Sequence, residues 1–367
     1  MNIYERIGLK RVINGSGKMT ALGVSKVSDK VVEVMKEAGQ NFVVIDDLID
    51  RVGEIISKVT GGEDTCVTSS ASAGIALTVA GLITGKNISL VERMPDSSGL
   101  KNKIIIQKGH SVNFGAPIPT MIRLGGGVPV EVGYSNEVRA EHVEEAIDEN
   151  TIALLYIKSH HSVQKGMLSI EEMAEIAHKH SLPLVIDAAA EEDIQKYLKI
   201  GGDLVIYSGA KALCGPASGF VTGKKDYIEA IKLQYKGIGR AMKIGKMSMI
   251  GLMKAVEEYS KRDEKAIVDE QLRLANLLID ELKDEEKVTT SIVKDEAGRE
   301  IYRVQLKLNE KLVSMNGKEF IKHLREGEVE IHVRKHYANL GIINIDMRAL
   351  TDDDVKYITK RVKEILK

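Results

Sequence analysis

The sequence predicts an α/β fold with a mostly parallel sheet covered by helices on both faces. Between residues 65 and 222, short apolar runs typical of buried strands alternate with stretches whose apolar residues recur at helical spacing. After residue 222 the pattern changes to long helices, and from residue 287 onwards it indicates a small α+β domain. We therefore expect an N-terminal arm and helix (1–45), a large domain (46–245) and a small C-terminal domain (246–367).

Composition narrows the class of protein. The 367 residues are 43% hydrophobic and 29% charged, so the chain can bury more than one core usually holds. Its 52 basic and 53 acidic residues nearly cancel, which argues against attraction to membranes or to a nucleic-acid partner such as transfer RNA. Cys66 and Cys214 are too few for a disulfide framework or a cysteine-rich zinc site. No signal-peptide pattern or membrane-length apolar run is present, so we expect a cytoplasmic protein.

Local patterns predict the individual elements in chain order. The predicted helices cover residues 27–38, 48–59, 75–83, 141–147, 169–180, 224–236, 247–282, 317–324 and 352–365. The predicted strands cover residues 104–107, 128–132, 152–157, 182–187, 204–207, 219–222, 301–308, 328–333 and 342–347. Ser169 and Glu172 form a capping box at one helix start. The stretch 247–282 is far longer than an average helix, and we interpret it as a bridge to the second domain.

Two strand ends supply a lysine and an acid. Small residues after the strand 204–207 place Ser208 and Lys211 in a turn at its carboxyl end, where open α/β sheets bind their ligands. A second strand ends at Asp187, and the three alanines after it leave room for a bulky group. A lysine there can form a Schiff base, and the acid can keep a pyridinium nitrogen protonated, as pyridoxal phosphate requires. The alternative is an ordinary loop lysine and a helix-capping aspartate.

A serine-rich turn precedes the apolar helix 75–83. Backbone N–H groups at Ser70, Ala71 and Ser72, together with the serine hydroxyls, would form an anion site suited to a phosphate monoester. The alternative is a serine-rich helix cap without a ligand. The presence of Lys211 and Asp187 favours the phosphate site.

The segment 208–219 resembles the lysine segment of fold-type I pyridoxal phosphate enzymes, most closely that of bacterial selenocysteine synthase and its relatives. The resemblance extends from Val12 to about Leu350. It includes Lys158-Ser-His160, Asp187, Ser208-Gly-Ala-Lys211 and Arg240-Ala-Met-Lys-Ile-Gly-Lys246. It implies a fold-type I pyridoxal phosphate-dependent transferase fold and a homodimer or higher homo-oligomer.

The resemblance also implies roles for further residues near the cofactor. Fold-type I enzymes usually stack a ring on the cofactor from the region of His110, whose imidazole would also suit an acid for a leaving group. Phe114 is another ring there, and a structural histidine is the alternative. His160 and His161 lack further ligands at zinc spacing, so we expect them to line the pocket and expect no metal.

Other implied roles concern anion and substrate binding. In the family, the segment matching residues 236–246 lies near a partner subunit's cofactor phosphate, which favours Arg240, Lys243 or Lys246 as ligands; a solvated loop is the alternative. The implied substrate-binding residues are Asn14, Ser16 and Lys18 at the active-site mouth, and Arg348, whose planar fork suits a carboxylate. A plain connecting loop and a surface arginine are the respective alternatives.

The implied activity is a lyase reaction on a small phosphorylated amino acid. Selenocysteine synthase carries an N-terminal RNA-binding domain. In this chain the resemblance begins by Val12, which leaves no room for such a domain before it. The resemblance then favours the ammonia-lyase branch of the family, in which D-glucosaminate 6-phosphate loses water and ammonia to give 2-keto-3-deoxy-6-phosphogluconate. Lys211 would remove the α-proton, Asp187 would keep the ring electron-poor, and His110 would assist the leaving hydroxyl. The alternatives are another pyridoxal phosphate activity, such as an aldolase, racemase or selenium transferase, and a non-catalytic RNA-binding relative.

Overall fold

A computed structural model describes residues 2–159, 162–295, 299–309 and 311–367. The α-helices of these residues are α1 (Ile3–Arg6), α2 (Asp29–Gln40), α3 (Ile45–Thr60), α4 (Ala71–Thr84), α5 (Ile88–Arg93), α6 (Ile118–Leu124), α7 (Ala140–Glu144), α8 (Ile170–Lys179), α9 (Lys196–Lys199), α10 (Lys225–Leu233), α11 (Lys246–Tyr259), α12 (Glu264–Leu282), α13 (Gly317–Arg325) and α14 (Asp352–Leu366). The β-strands are β1 (Arg11–Gly15), β2 (Asp64–Thr68), β3 (Lys103–Gln107), β4 (Val128–Val132), β5 (Thr151–Ile157), β6 (Leu184–Asp187), β7 (Leu204–Ser208), β8 (Gly219–Gly223), β9 (Val288–Lys294), β10 (Tyr302–Leu308), β11 (Val329–Val333) and β12 (Ile342–Asp346).

The chain divides into two compact units. The larger unit is Val27–Lys261, and the smaller unit combines Met1–Lys26 with Arg262–Lys367. None of the helices in the described part of the chain is long and apolar enough to cross a membrane.

A seven-stranded sheet organises the larger unit. Its strand order is β2-β8-β7-β6-β5-β3-β4. All the strands run in the same direction except β8, which is antiparallel to both β2 and β7. The predicted α/β fold with a mostly parallel sheet is therefore confirmed. Because the strands from β3 to β7 run in the same direction, their carboxyl ends lie along one edge of the sheet.

Alternate residues of each strand face two separate cores. On one face, Leu154, Ile186 and Val205 pack among apolar side chains of α3, α8 and α11. On the other face, Leu155 and Ile206 pack among side chains of α4, α6 and α10. Strands β3, β5, β6 and β7 are buried on both faces, which explains why they appear in the sequence as continuous apolar runs.

The smaller unit contains two sheets and its own core. An antiparallel sheet has the order β12-β10-β9, and β1 pairs in parallel with β11. Apolar side chains of these strands pack against α12, α13 and α14. The predicted strands do not include Arg11–Gly15, which forms β1. The local pattern does not show this strand, because its hydrogen-bonding partner β11 lies more than three hundred residues away in the sequence.

The division between units differs from the predicted boundaries. The predicted single helix 247–282 consists of α11 and α12, and Asp263 caps α12 by accepting a hydrogen bond from Ala266 N–H (3.0 Å). The units meet at residues 261 and 262 rather than 245 and 246, because α11 packs against α2 and α3. The predicted arm of residues 1–45 is likewise divided, since β1 pairs within the smaller unit whereas α2 belongs to the larger one.

Candidate active site

The predicted lysine and acid lie on neighbouring strand ends of the larger unit. Ile157, the last residue of β5, pairs with Asp187, the last residue of β6. Asp187 in turn pairs with Ile206 of β7, and Ser208 at the end of β7 pairs with Gly219. The sheet register therefore brings Asp187 and the loop after Ser208 to the same edge.

Asp187 is a buried carboxylate with spare hydrogen-bonding capacity. One carboxylate oxygen accepts a hydrogen bond from Ala189 N–H (3.1 Å), and no described residue donates to the other. Burial raises the pKa of Asp187 to about 6, against the opposing effects of the Lys211 charge and the Ala189 N–H. A cationic N–H group placed here would gain an acceptor and would stabilise the ionised carboxylate.

The loop after β7 presents Lys211 while its backbone is held tightly. Gly209 N–H donates to Ser218 O (2.9 Å), and Gly215 N–H donates to Gly209 O (2.8 Å). A Cβ atom on Gly209 would lie 2.2 Å from Ser218 Oγ, so the backbone approaches too closely for a larger residue. Lys211 is partly buried and has neither an ion pair nor a side-chain hydrogen bond among the described residues, so its amine is available for a ligand.

The serine-rich turn lies at this edge as well. Thr68, the last residue of β2, pairs with Gly219, which pairs on its other side with Ser208. Ser70 caps α4 by accepting a hydrogen bond from Ala73 N–H (3.0 Å). The N–H groups of Ala71 and Ser72 lie in the first turn of α4, where backbone donors have no acceptor within the helix.

Close packing keeps the turn against the sheet. A Cβ atom on Gly219 would lie 2.6 Å from the Ser70 carbonyl carbon and 2.7 Å from Ala71 N. The helix start, with the positive end of its dipole, is therefore held beside the loop that carries Lys211. This is the arrangement that phosphate binding at the predicted residues requires.

The structure does not support a catalytic role for His110. Its ring is fully buried, its Nε2 donates to Val163 O (3.1 Å), and its Nδ1 accepts from Ile157 N–H (3.3 Å). The ring also packs edge-on against Tyr156, with centroids 4.5 Å apart. Both nitrogens are occupied by backbone groups, so the ring has no free N–H to give to a leaving group, and because the ring is fully buried it presents no open face on which a cofactor could stack. Burial lowers the pKa of His110 to about 4 and keeps it neutral.

The predicted cations of the segment 236–246 differ in their surroundings. Arg240 and Lys243 are exposed, and their side chains have no hydrogen-bonding or ion-pair partner among the described residues. Lys246 instead donates to Asn41 O and lies 5.5 Å from the centre of the Phe42 ring. Of the three alternatives, Arg240 and Lys243 are therefore the ones available to an anion. His160, the remaining predicted cofactor-binding residue, lies outside the described residues.

Among the predicted substrate-binding residues of the smaller unit, Asn14 is engaged with backbone groups of its own loop. The Asn14 side chain donates to Gly17 O (2.9 Å) and accepts from Ser16 N–H (3.0 Å), so it closes its own loop. Ser16 is buried, and Lys18 is partly buried with an interaction of its own. The Asn14 side chain therefore stabilises its own loop, and its hydrogen-bonding groups are not left open for a substrate.

Arg348 is also paired within the smaller unit. Its Nε and Nη2 atoms each lie 2.9 Å from a different oxygen of Asp346, a carboxylate that is fully buried. This two-point pair places the guanidinium beside Gly17, where a Cβ atom would lie 3.0 Å from Arg348 Nη2. The expected open fork for a substrate carboxylate is thus already occupied by Asp346. Arg334, which follows β11 and was missed in the sequence, could have been found by the same strand-end criterion that selected Arg348.

The residues at the edge of the larger sheet fit pyridoxal phosphate. Lys211 provides an unpaired amine, Asp187 provides a carboxylate oxygen without a donor, and the start of α4 provides backbone N–H groups. No group of three or more His, Cys, Asp or Glu side chains suited to a metal ion occurs among the described residues.

Comparisons with known proteins identify the family. A family model described as L-seryl-tRNA selenium transferase matches residues 12–355. The chain is 45% identical to D-glucosaminate-6-phosphate ammonia lyase of Salmonella typhimurium (strain 14028s / SGSC 2262), over 99% of this chain and 98% of that protein. It is 36% identical to 5'-C-glycyluridine monooxygenase-decarboxylase of a Streptomyces species, over 99% of this chain and 92% of that protein.

A solved structure extends these similarities to the fold. The structure of D-glucosaminate-6-phosphate ammonia-lyase matches with a TM-score of 0.94 at 44% identity, covering 100% of this chain and 98% of that chain. The predicted fold class and the predicted resemblance are both confirmed. With a family match over residues 12–355 and near-complete alignment to curated relatives, this chain belongs to the L-seryl-tRNA selenium transferase family.

Proposed function

We propose that this chain is a pyridoxal phosphate-dependent ammonia-lyase that converts D-glucosaminate 6-phosphate to 2-keto-3-deoxy-6-phosphogluconate and ammonia. The observation that carries this proposal is the 45% identity to an ammonia lyase of that substrate over nearly the whole of both chains. The identity to a monooxygenase-decarboxylase is lower, at 36%, so the comparison of the two relatives favours the lyase. The unpaired Lys211 beside the buried Asp187 supports the chemistry independently.

The larger unit supplies the cofactor-binding residues in this proposal. Lys211 would hold the cofactor through its amine, Asp187 would accept a hydrogen bond from the ring nitrogen, and Ser70, Ala71, Ser72 and Ser208 would surround the phosphate. When bound, pyridoxal phosphate supplies an electron sink for the negative charge that develops at the substrate's α-carbon. An ionised Asp187 keeps the ring nitrogen protonated and so strengthens that sink.

Proton transfer is assigned to Lys211. With substrate bound, the amine of Lys211 would accept the α-proton, and it has no competing partner among the described residues. His110 is excluded as the acid for the leaving hydroxyl, because its two nitrogens bind backbone groups. We assign that proton to the ammonium form of Lys211, so that one nitrogen would remove the α-proton and then donate a proton to the departing hydroxyl group, which leaves as water.

Two exposed cations extend the proposal to a partner subunit. The phosphate-binding turn offers hydroxyl and N–H groups but no cation, and a phosphate dianion shielded from water needs countercharge. The exposed and unpaired side chains of Arg240 and Lys243 would provide it across the interface of a homodimer or larger homo-oligomer. We also propose a cytoplasmic location and a function in carbohydrate catabolism, since phosphorylated sugar acids are retained inside cells.

The direct test is an assay of both products. The purified protein, loaded with pyridoxal phosphate, should release ammonia and keto acid in equal amounts from D-glucosaminate 6-phosphate. D-Glucosaminate without the phosphate should react far more slowly, and the Lys211→Ala variant should be inactive on both. If the wild-type protein releases neither ammonia nor keto acid from the phosphorylated substrate, the proposed function is wrong.

A further inference from the structure

Arginine and aspartate side chains form a continuous chain of ion pairs in the smaller unit. Arg299 and Arg303 both donate to Asp295, at 2.9 and 2.7 Å. Arg303 also reaches Asp346 (3.3 Å), which binds Arg348 (2.9 Å). The two carboxylates are almost completely buried, as is Arg303, so these pairs are poorly screened by water.

The charges of these ion pairs act on Arg334, but Arg334 itself forms no ion pair with a described residue. Its backbone forms a bridge with Asn344, two residues before Asp346. No described carboxylate lies within ion-pair distance of its guanidinium, although the side chain is partly buried. Burial lowers the pKa of Arg334, and so do the charges of Arg303 and, to a smaller extent, Arg348; Asp346 and Asp295 only partly offset them. With Arg334 included, four guanidinium groups lie near two carboxylates among the described residues, an excess of two positive charges within that set.

The loop after β1 lies beside the same charges. In the parallel pair of β1 and β11, Gly15 is opposite Val333, the residue before Arg334. Gly17 has a φ of +86°, and a Cβ atom there would lie 2.8 Å from Asp346 Oδ2. The backbone at Gly17 therefore packs directly on the Asp346–Arg348 pair and holds it in place. No described residue accepts a hydrogen bond from the Arg334 guanidinium.

We propose that Arg334 is an oxyanion-binding residue, which receives a carboxylate or phosphate group of a small-molecule ligand. The partly buried excess of positive charge is relieved when an anion arrives, and a guanidinium suits both oxyanions through paired N–H donors. Arg348 then has a positioning role, because its pairing with Asp346 holds the neighbouring charges in place. The proposed substrate carries both a carboxylate and a phosphate, so assigning the oxyanion to the substrate rests on the proposed function. The existence of the site does not.

The test compares Arg334→Gln and Arg334→Lys with Arg325→Gln in the cofactor-loaded protein. Arg325 ends α13 in the same unit, is exposed and forms no ion pair with any described residue, so it controls for the loss of one surface charge. Binding of inorganic phosphate is measured by calorimetry at constant ionic strength. Loss of a charged hydrogen bond should weaken phosphate binding by about tenfold to a hundredfold in Arg334→Gln, less in Arg334→Lys and not in Arg325→Gln.

Thermal unfolding separates this proposal from a structural role. Removing Arg334 also removes its repulsion with Arg303 and Arg348, so Arg334→Gln should keep or raise the Tm in the absence of phosphate. Equal phosphate affinity in Arg334→Gln and Arg325→Gln, or no saturable phosphate binding by the wild-type protein, would overturn the proposal. Neither result depends on whether the protein is a lyase.

Kinetics identify the source of the oxyanion. If the substrate's phosphate binds Arg334, the variant should raise the KM for D-glucosaminate 6-phosphate but leave the slow reaction of D-glucosaminate unchanged. If the carboxylate binds there, the KM should rise for both compounds. Unchanged kinetics with both compounds would overturn the assignment of the site to the substrate, even if phosphate binding is lost.

Discussion

The strand-end edge of the larger unit and the Arg348–Asp346 pair of the smaller unit differ in how their charged groups are satisfied. At the strand ends, Lys211 has no partner among the described residues, and Asp187 is buried with one oxygen unused. In the smaller unit, Arg348 and Asp346 satisfy each other through two hydrogen bonds. Side chains that await a ligand retain unused donors or acceptors, whereas side chains that maintain the fold use theirs internally. This distinction separates the predicted site residues into two groups.

The largest expected effect is on stability, from breaking the buried pair. Arg348→Ala leaves Asp346 with Arg303 alone at 3.3 Å, and removing one member of a buried ion pair typically costs about 3 to 5 kcal/mol. Urea unfolding should show that loss in Arg348→Ala and little change in the exposed control Arg325→Ala. A variant of normal stability with a raised KM would instead show that Arg348 binds substrate, as the sequence suggested.

The next effect concerns turnover and tests Asp187. Asp187→Asn should retain the cofactor but lose about a hundredfold or more in kcat, because a neutral partner no longer favours the protonated ring. The exposed Asp193→Asn variant is the control and should keep near-normal turnover. Near-normal turnover in Asp187→Asn would remove Asp187 from the mechanism.

The pKa of Asp187 adds a dependence on pH. Because the folded pKa of about 6 lies above the usual 3.8, the folded chain binds more protons, so its stability decreases as the pH rises from about 4 to 6. In the cofactor-free protein, Asp187→Asn should remove this decrease, which amounts to about 2 to 3 kcal/mol. The advantage of wild type over Asp187→Asn in cofactor affinity should correspondingly shrink as the pH falls below about 6. Parallel pH profiles for the two proteins would contradict this explanation.

A smaller effect distinguishes the cations of the segment 236–246. Arg240→Ala and Lys243→Ala should weaken binding of cofactor or phosphorylated substrate by about 1.5 to 3 kcal/mol for the residue that makes the contact. Lys246→Ala should leave that affinity unchanged, because its amine is already bound to Asn41 O beside Phe42. Equal losses in all three variants would show that overall charge, rather than a specific contact, is responsible.

Mixed oligomers test whether these cations act across an interface. Lys211→Ala chains combined with Arg240→Ala, Lys243→Ala chains would regain one intact composite site in each exchanged dimer. Recovered activity is the expected result. If mixed dimers form without recovered activity while the double cation variant is inactive alone, the cations act within their own subunit.

The smallest effect concerns His110. Its folded pKa of about 4 lies below the usual 6.5, so protonation favours the unfolded chain, and stability falls as the pH decreases from about 6.5 towards 4. Between pH 7 and pH 5 we expect His110 to account for about 1 to 2 kcal/mol of lost stability, a component that His110→Gln should lack. The kcat per folded active site should fall less than tenfold. A selective loss of kcat in a stable His110→Gln protein would restore the acid role.

The sequence predicted the strand-end site because its signals are local. Asp187 and Lys211 each follow a short apolar run directly, and the parallel arrangement of those runs brings their ends together. The function of His110 was not predictable in this way, since its partners Val163 and Ile157 lie about fifty residues away. Strand β1 was missed for the same reason, because it depends on a distant partner.

Two other features of the structure that differ from the predictions could have been recognised from the sequence. Asp346 lies two residues before Arg348, which is close enough for the two side chains to pair. Asp263 is a typical capping residue, and it marks the start of α12 and hence the break in the predicted long helix. Arg334 follows a strand, but the excess of positive charge around it arises only when distant segments assemble.

The most direct test of the central claim locates the cofactor on the chain. Borohydride reduction of the protein loaded with pyridoxal phosphate, followed by proteolysis and mass spectrometry, should find the cofactor attached to Lys211. The Lys211→Ala variant, treated in the same way, should carry no label at any other lysine. Attachment at a different lysine in the wild-type protein would contradict the assignment of the strand-end edge as the active site.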